Sequence, residues 1–143
     1  MRRIRRRGSA DQPVYEATTR DILVRVATSY LPGQSDPEEP KHVWAYMIEI
    51  ENHGAETVQL MSRCWVITDA LNRVEVVKGP GVVGEQPILK PRDAFRYTSG
   101  CPLSTTSGVM RGTYQMLTDD GQAFDVDVPE FSLDIPGARR SLN

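Results

Sequence analysis

An all-β sandwich is the architecture this 143-residue chain predicts, and three observations predict it. Apolar residues alternate with polar ones in short runs, as at Ile22, Val24 and Val26 and again at Trp44, Tyr46, Ile48 and Ile50. Period two marks strands with one buried face. Turn signals separate these runs at intervals of roughly 8–12 residues, the spacing of two packed sheets with about seven or eight antiparallel strands. No window carries three turns of apolar residues at helical spacing.

The elements follow in order. Residues 15–19 read as a polar lead-in, and residues 21–30 as the first clear strand. Residues 31–41 gather three prolines and three acids into a polar loop. Its Asp36, Glu38 and Glu39 have the chemistry of hard-cation ligands, but on a proline-broken loop they read as solvated surface. Residues 43–51 form the second strand, followed by a turn at 52–55 in which Gly54 is expected to take the left-handed conformation. Residues 57–68 are apolar on both faces: Val58, Leu60, Cys64 and Val66 alternate with Met61, Trp65 and Ile67. Such a strand is central or meets a second layer. Arg63 lies beside the second face, where a guanidinium can stack on an indole or pair with a carboxylate.

Residues 69–73 turn into a short strand at 74–78. Then come Gly79, Gly81 and Gly84, formally spaced G-x-G-x-x-G. A phosphate site needs that run to open a helix whose amides face the ligand. Glu85 follows with the wrong charge, and Pro87 and Pro91 break any helix. The run is therefore expected to cross between two strands. Residues 88–89 make a brief edge piece and 95–98 a strand, which Ser99, Gly100, Cys101 and Pro102 interrupt. Residues 107–117 alternate again, with Gly112 marking a bulge or a close approach. Asp120-Gly121 centres a hairpin turn. Residues 123–128 return, and 130–136 close the sheet.

One domain suits this length, and a chain of this size buries roughly 70% of its unfolded surface without metal or disulfide. Cys64 and Cys101 are too few for a disulfide framework and are expected as reduced thiols. The net charge of −2 hides an asymmetry: Arg2, Arg3, Arg5, Arg6 and Arg7 open the chain, leaving 17 − 5 = 12 basic against 19 acidic residues in the rest. An acidic body of that kind is not expected to bind nucleic acid. No apolar run approaches membrane-spanning length, and no apolar segment follows the arginines to make a secretory signal. Residues 1–14 are expected as a disordered basic tail, 15–137 as the sandwich domain and 138–143 as a frayed terminus.

An ordered series of short motifs carries a family resemblance. Arg63-x-Trp65-Val66-Ile67-Thr68 comes first, then Gly79-x-Gly81-Val82-Val83-Gly84-Glu85-Gln86-Pro87. Phe95-x-Tyr97-Thr98-Ser99-Gly100 and Gly108-x-Met110-x-Gly112-x-Tyr114-x-Met116 complete it. The series resembles the ApaG family over about residues 18–136, with Cys64 standing where an aromatic is common. The resemblance implies an immunoglobulin-like or fibronectin type III-like sandwich. It also implies a bacterial cytoplasmic protein linked to Co2+ resistance and Mg2+ efflux. Related domains in eukaryotic F-box proteins point to protein–protein contact, and the family offers no catalytic residues.

The residues agree that an enzyme is not expected. The only histidines, His42 and His53, lie at opposite ends of one strand, roughly 35 Å apart, so no nucleophile–base pair can be assembled. No cofactor is expected, and no dedicated metal site. Asp119, Asp120, Asp125 and Asp127 cluster on one hairpin, but strand-face acids at this spacing are usually solvated. The expected function is a non-catalytic protein-interaction domain with an unidentified protein partner. Its candidate contact residues are Arg63, Trp65, Gly79, Gly81, Gly84 and Glu85. The alternative is a small-anion site, for pyrophosphate or a nucleotide, on the amides of residues 79–84. A free edge strand would also allow a homodimer.

Overall fold

A computed structural model of the chain describes residues 4–7 and 9–136, with side chains from Val14 onward. In chain order the strands are β1 (Ile4–Arg7), β2 (Ser9–Thr19), β3 (Ile22–Tyr30), β4 (His42–Asn52) and β5 (Val58–Asp69). They continue as β6 (Val74–Pro80), β7 (Ile88–Leu89), β8 (Ala94–Leu103), β9 (Ser107–Thr118) and β10 (Ala123–Asp134). One antiparallel sheet runs β1-β2-β3-β4-β8 and the other β10-β9-β5-β6, with β7 also paired to β5. The two sheets bury a single apolar core between them, so the chain folds as the all-β sandwich its periodicity predicts.

The core is built by alternation. Ile22, Val24 and Val26 of β3 and Trp44, Tyr46, Ile48 and Ile50 of β4 point inward and are buried. Opposite them, Trp65 of β5 meets Tyr46 edge-on at 5.5 Å and Phe131 of β10 at 6.1 Å, geometries that the aromatic quadrupole favours. Trp44 donates its indole N–H to the Asp134 carbonyl at 2.8 Å, tying β4 to β10 across the layers.

Sequence pattern and structure part company at several places. The segment expected as a polar lead-in belongs to β2, where Val14 and Glu16 are buried. The backbone of residues 4–7 and 9–14, expected as a disordered tail, is drawn into the first sheet as β1 and the start of β2. An open sheet edge offers unpaired N–H and C=O groups to any adjacent extended chain. The terminus expected to fray, 138–143, lies outside the described residues, as do Arg2 and Arg3.

Gly54 is not left-handed. Its N–H bonds Asn52 Oδ1 at 2.9 Å, closing an Asx-type turn. The left-handed residues nearby are Arg20 and Asp21 (φ 48° and 66°), which join β2 to β3 as a two-residue hairpin. Residues 94–103 form one continuous strand, running through the break expected after Thr98. Pro102 is tolerated because β8 is an edge strand paired only with β4. β10 is likewise continuous, with a register shift between Val128 and Phe131 absorbing Pro129.

The largest departure is in β5. Opposite β9, Leu60 pairs with Met116 but Ser62 with Gln115, so Met61 is an extra residue, a β-bulge. One surplus residue exchanges the two faces. Val58 and Leu60 face inward before the bulge, and Arg63, Trp65 and Ile67 after it. Cys64 and Val66, expected to share a face with Leu60, lie on the opposite one.

Candidate functional site

Five of the six large apolar side chains exposed among the described residues lie in one stretch: Leu71, Val74, Val76, Val83 and Ile88. That stretch also contains the glycine-rich run. The register explains its shape. β6 and β7 pair with the same side of β5, Pro80 opposite Ser62 and Ile88 opposite Gln59. Residues 81–87 therefore join two strands, as the sequence suggested, and both strands lie in one sheet. They loop out of a single line along the β5 edge, and the chain changes sheets later, through the turn that joins β7 to β8.

Within the loop, Val82 and Glu85 exchange N–H···O bonds of 2.8 and 2.9 Å around Val83 and Gly84. Both central residues have positive φ, 43° and 81°, the signature of a type I′ turn. Gly81 is also left-handed, and a Cβ there would lie 2.1 Å from the Glu85 carbonyl oxygen. No helix leaves Gly84. Gly81 N–H is spent on the Met61 carbonyl at 2.8 Å, so the amides of residues 81, 82 and 85 all serve the loop itself.

Arg63 holds this loop down. Its Nη1 donates to the carbonyls of Pro80 and Gly81, each at 3.0 Å. Gly79, opposite Arg63 in the ladder, supplies the space: a Cβ there would sit 3.0–3.3 Å from the guanidinium atoms. Gly79 is thus present for Arg63 and not for a turn. Among the described residues no carboxylate forms an ion pair with Arg63.

Beneath the loop the sheets part between the β6 and β8 edges, leaving a cleft of about 410 Å³. Arg63, Trp65 and Ile67 of β5 line one wall, and Tyr97, Ser99 and Cys101 of β8 the other. Tyr46 and Met110 lie at the bottom, Val82 closes the loop end, and Glu75 and Val77 of β6 stand at the rim. The inward positions here include Gly79, Ser99 and the charged Glu75, which leave the layer incompletely filled. Burial raises the Tyr46, Tyr97 and Tyr114 hydroxyls above the ordinary phenol range, opposed in part by Arg63 nearby. Burial likewise pushes the Cys101 thiol up to about 11, with Glu75 adding to it.

The structure brings Arg63, Trp65, Gly79, Gly81, Gly84 and Glu85 into one neighbourhood, with different exposures. Trp65 is 3% exposed and packs in the core. Gly84 and Glu85 are on the surface, and Arg63 and Gly79 are half-buried. The sequence reading missed Ser99, Cys101 and Glu75 because it broke β8 at Ser99 and gave β6 no inward face. Cys64 and Cys101 are free thiols on different sheets, the former half-buried and the latter buried. Among the described residues no group of three or more His, Cys, Asp or Glu side chains is placed to hold a metal ion. Nor, among the described residues, is any helix long and apolar enough to cross a membrane.

Known proteins resemble this chain in sequence and fold. The family model of the ApaG domain matches residues 32–118. Protein ApaG of Caulobacter vibrioides is 60% identical over 140 residues, 98% of this chain and all of that protein. Protein ApaG of Brucella anthropi is 61% identical over 130 residues, 91% of this chain and all of the relative. A crystal structure of a Bordetella pertussis protein named ApaA superposes with a TM-score of 0.80 at 47% identity, covering 82% of this chain and 96% of that one. With its motif series, its two-sheet sandwich and these relatives in agreement, the chain belongs to the ApaG family.

Proposed function

We propose that the chain is a non-catalytic binding domain that docks a protein partner along the β6 edge and the loop 81–87. The observation that carries this reading is the concentration of exposed apolar side chains there. Val74 and Val76 are 60% and 54% exposed on the outward row of β6, and Val83 is 51% exposed at the loop tip. An apolar row beside an unpaired strand edge suits partners that add a strand or lay an apolar face against it. Trp65, being core, supports the surface from beneath and does not anchor the partner. Arg63 fixes the loop, and Gly84 and Glu85 form its outer rim.

The family's association with cobalt resistance and magnesium efflux, in this reading, runs through the partner in the cytoplasm. The anion reading of residues 79–84 is the weaker one, because three of the loop's amides are committed to internal carbonyls. Affinity capture from native lysate tests the docking surface. Val76→Lys with Gly84→Asp should strip the bound set retained by the wild-type chain, and an unchanged set would place the contact elsewhere. Size-exclusion chromatography of the same two proteins separates self-association from capture of another chain.

A further inference from the structure

We propose that the cleft between β6 and β8 is a binding site for a small organic anion, a carboxylate or phosphate monoester on a flat apolar body, with Arg63 as its recognition residue. This site goes beyond the docking surface, with which it shares Val83 and Gly84 at its mouth. It also differs from the glycine-loop reading, because the donors are side chains below the loop.

Arg63 points inward between the sheets, carries no ion pair among the described residues, and is neutralised only by the carbonyl dipoles of Pro80 and Gly81. A half-buried cation without a counter-ion is costly, and two carbonyls on Nη1 leave the rest of the guanidinium fork for a ligand. That fork matches carboxylate and phosphate oxygens two at a time. Around it the cleft supplies what an organic anion needs: the Trp65 and Tyr46 rings for a flat body, and the Ser99 hydroxyl as a further polar group. Its volume of about 410 Å³ lies inside the usual range for small-molecule pockets, roughly 300–1,000 Å³.

Glu75 gives the cleft a direction. It pairs with Ile67 in the ladder, four residues along β5 from Arg63, or about 13 Å. The anionic head therefore belongs at the loop end, with a neutral or cationic tail toward Glu75.

Benzoate and phenyl phosphate, titrated into 15N-labelled protein, test the site, with benzamide as the neutral control. Both anions should shift the Arg63 Nε–H and the Ser99 and Cys101 amides, and benzamide should not. The stronger anion identifies the head group. Glu75→Gln should tighten binding, and Arg63→Gln should weaken it roughly 10- to 100-fold. Arg63 also secures the loop, so Ser99→Phe, which fills the cleft from β8 without touching that contact, should abolish binding independently. No shift at about 20 mM, equal shifts with benzamide, shifts confined to Val83 and Gly84, or binding that survives Ser99→Phe each overturns the proposal.

Discussion

The hydroxyls of Tyr97 and Tyr114 meet at 2.6 Å in the interior, joining β8 of one sheet to β9 of the other. Burial keeps both phenols protonated far beyond the physiological range. Tyr114 is fully buried, so its hydroxyl has no recourse to water. Replacing either residue by Phe leaves the partner's oxygen without its bond and should cost about 1–3 kcal/mol. Because both losses are the same bond, the double variant should cost less than the sum. Urea denaturation of the four proteins measures the coupling.

Gly112 faces Trp65 in the ladder, and a Cβ there would lie 2.6 Å from the Cys64 carbonyl oxygen and 2.7 Å from the indole. Gly112→Ala should therefore displace the ring and destabilise the sandwich by about 1–3 kcal/mol, as overpacking does. The displacement is read as a changed Trp65 emission in a background where Trp44 is replaced by Phe.

Val83 is a β-branched residue with φ 43° at the first central position of the loop turn. Asn is at home there and Val is not. Its side chain is exposed, so little packing is lost on substitution. Val83→Asn should raise stability by about 1 kcal/mol, measured as a higher urea midpoint at unchanged slope. The same change should weaken partner capture if the apolar loop tip belongs to the docking surface.

On the outer face of the first sheet, Arg96 bonds Glu49 at 2.9 Å and Arg25 bonds it at 3.2 Å, while Arg25 also bonds Glu16 and Glu51. Arg96 is the main reason the Glu49 carboxyl lies below the ordinary carboxylate range, with Arg25 adding to it. A lowered folded value stabilises the fold above the unfolded value, about 4.3. That contribution disappears as pH falls through the lowered folded value. Glu49→Gln should accordingly be less stable than the wild type at pH 6, with the gap closing at the acid end. Paired urea melts across that interval check it.

Much of the fold was legible because its signals are local. Trp44, Tyr46, Ile48 and Ile50 announce β4, and Asp120-Gly121 announces the last hairpin, with Gly121 at φ 91°. What escaped depends on neighbours in space. Nothing in the composition of Arg20-Asp21 marks a hairpin. Pro102 looks like a break until β8 is known to be an edge. The glycines at 79, 81 and 84 were recognisable as a bend between two strands, but their separate duties were not. Gly79 clears the Arg63 guanidinium, Gly81 avoids the Glu85 carbonyl, and Gly84 takes the second turn position. The cleft was illegible for the same reason, since Arg63, Glu75 and Ser99 come from three strands and share no spacing.

The surplus residue at Met61 makes β5 a matter of counting. Losing Met61 would only remove the bulge and keep Leu60 opposite Met116 and Ser62 opposite Gln115. Inserting one residue between Ser62 and Arg63 would instead turn the rest of the strand inside out, sending an indole toward water and a thiol toward the interior. Substitutions along this strand can be graded by size and charge, whereas such an insertion cannot. The chain is thus exposed here to insertion far more than to exchange, and the guanidinium beneath the glycine loop would be the first group to leave its place.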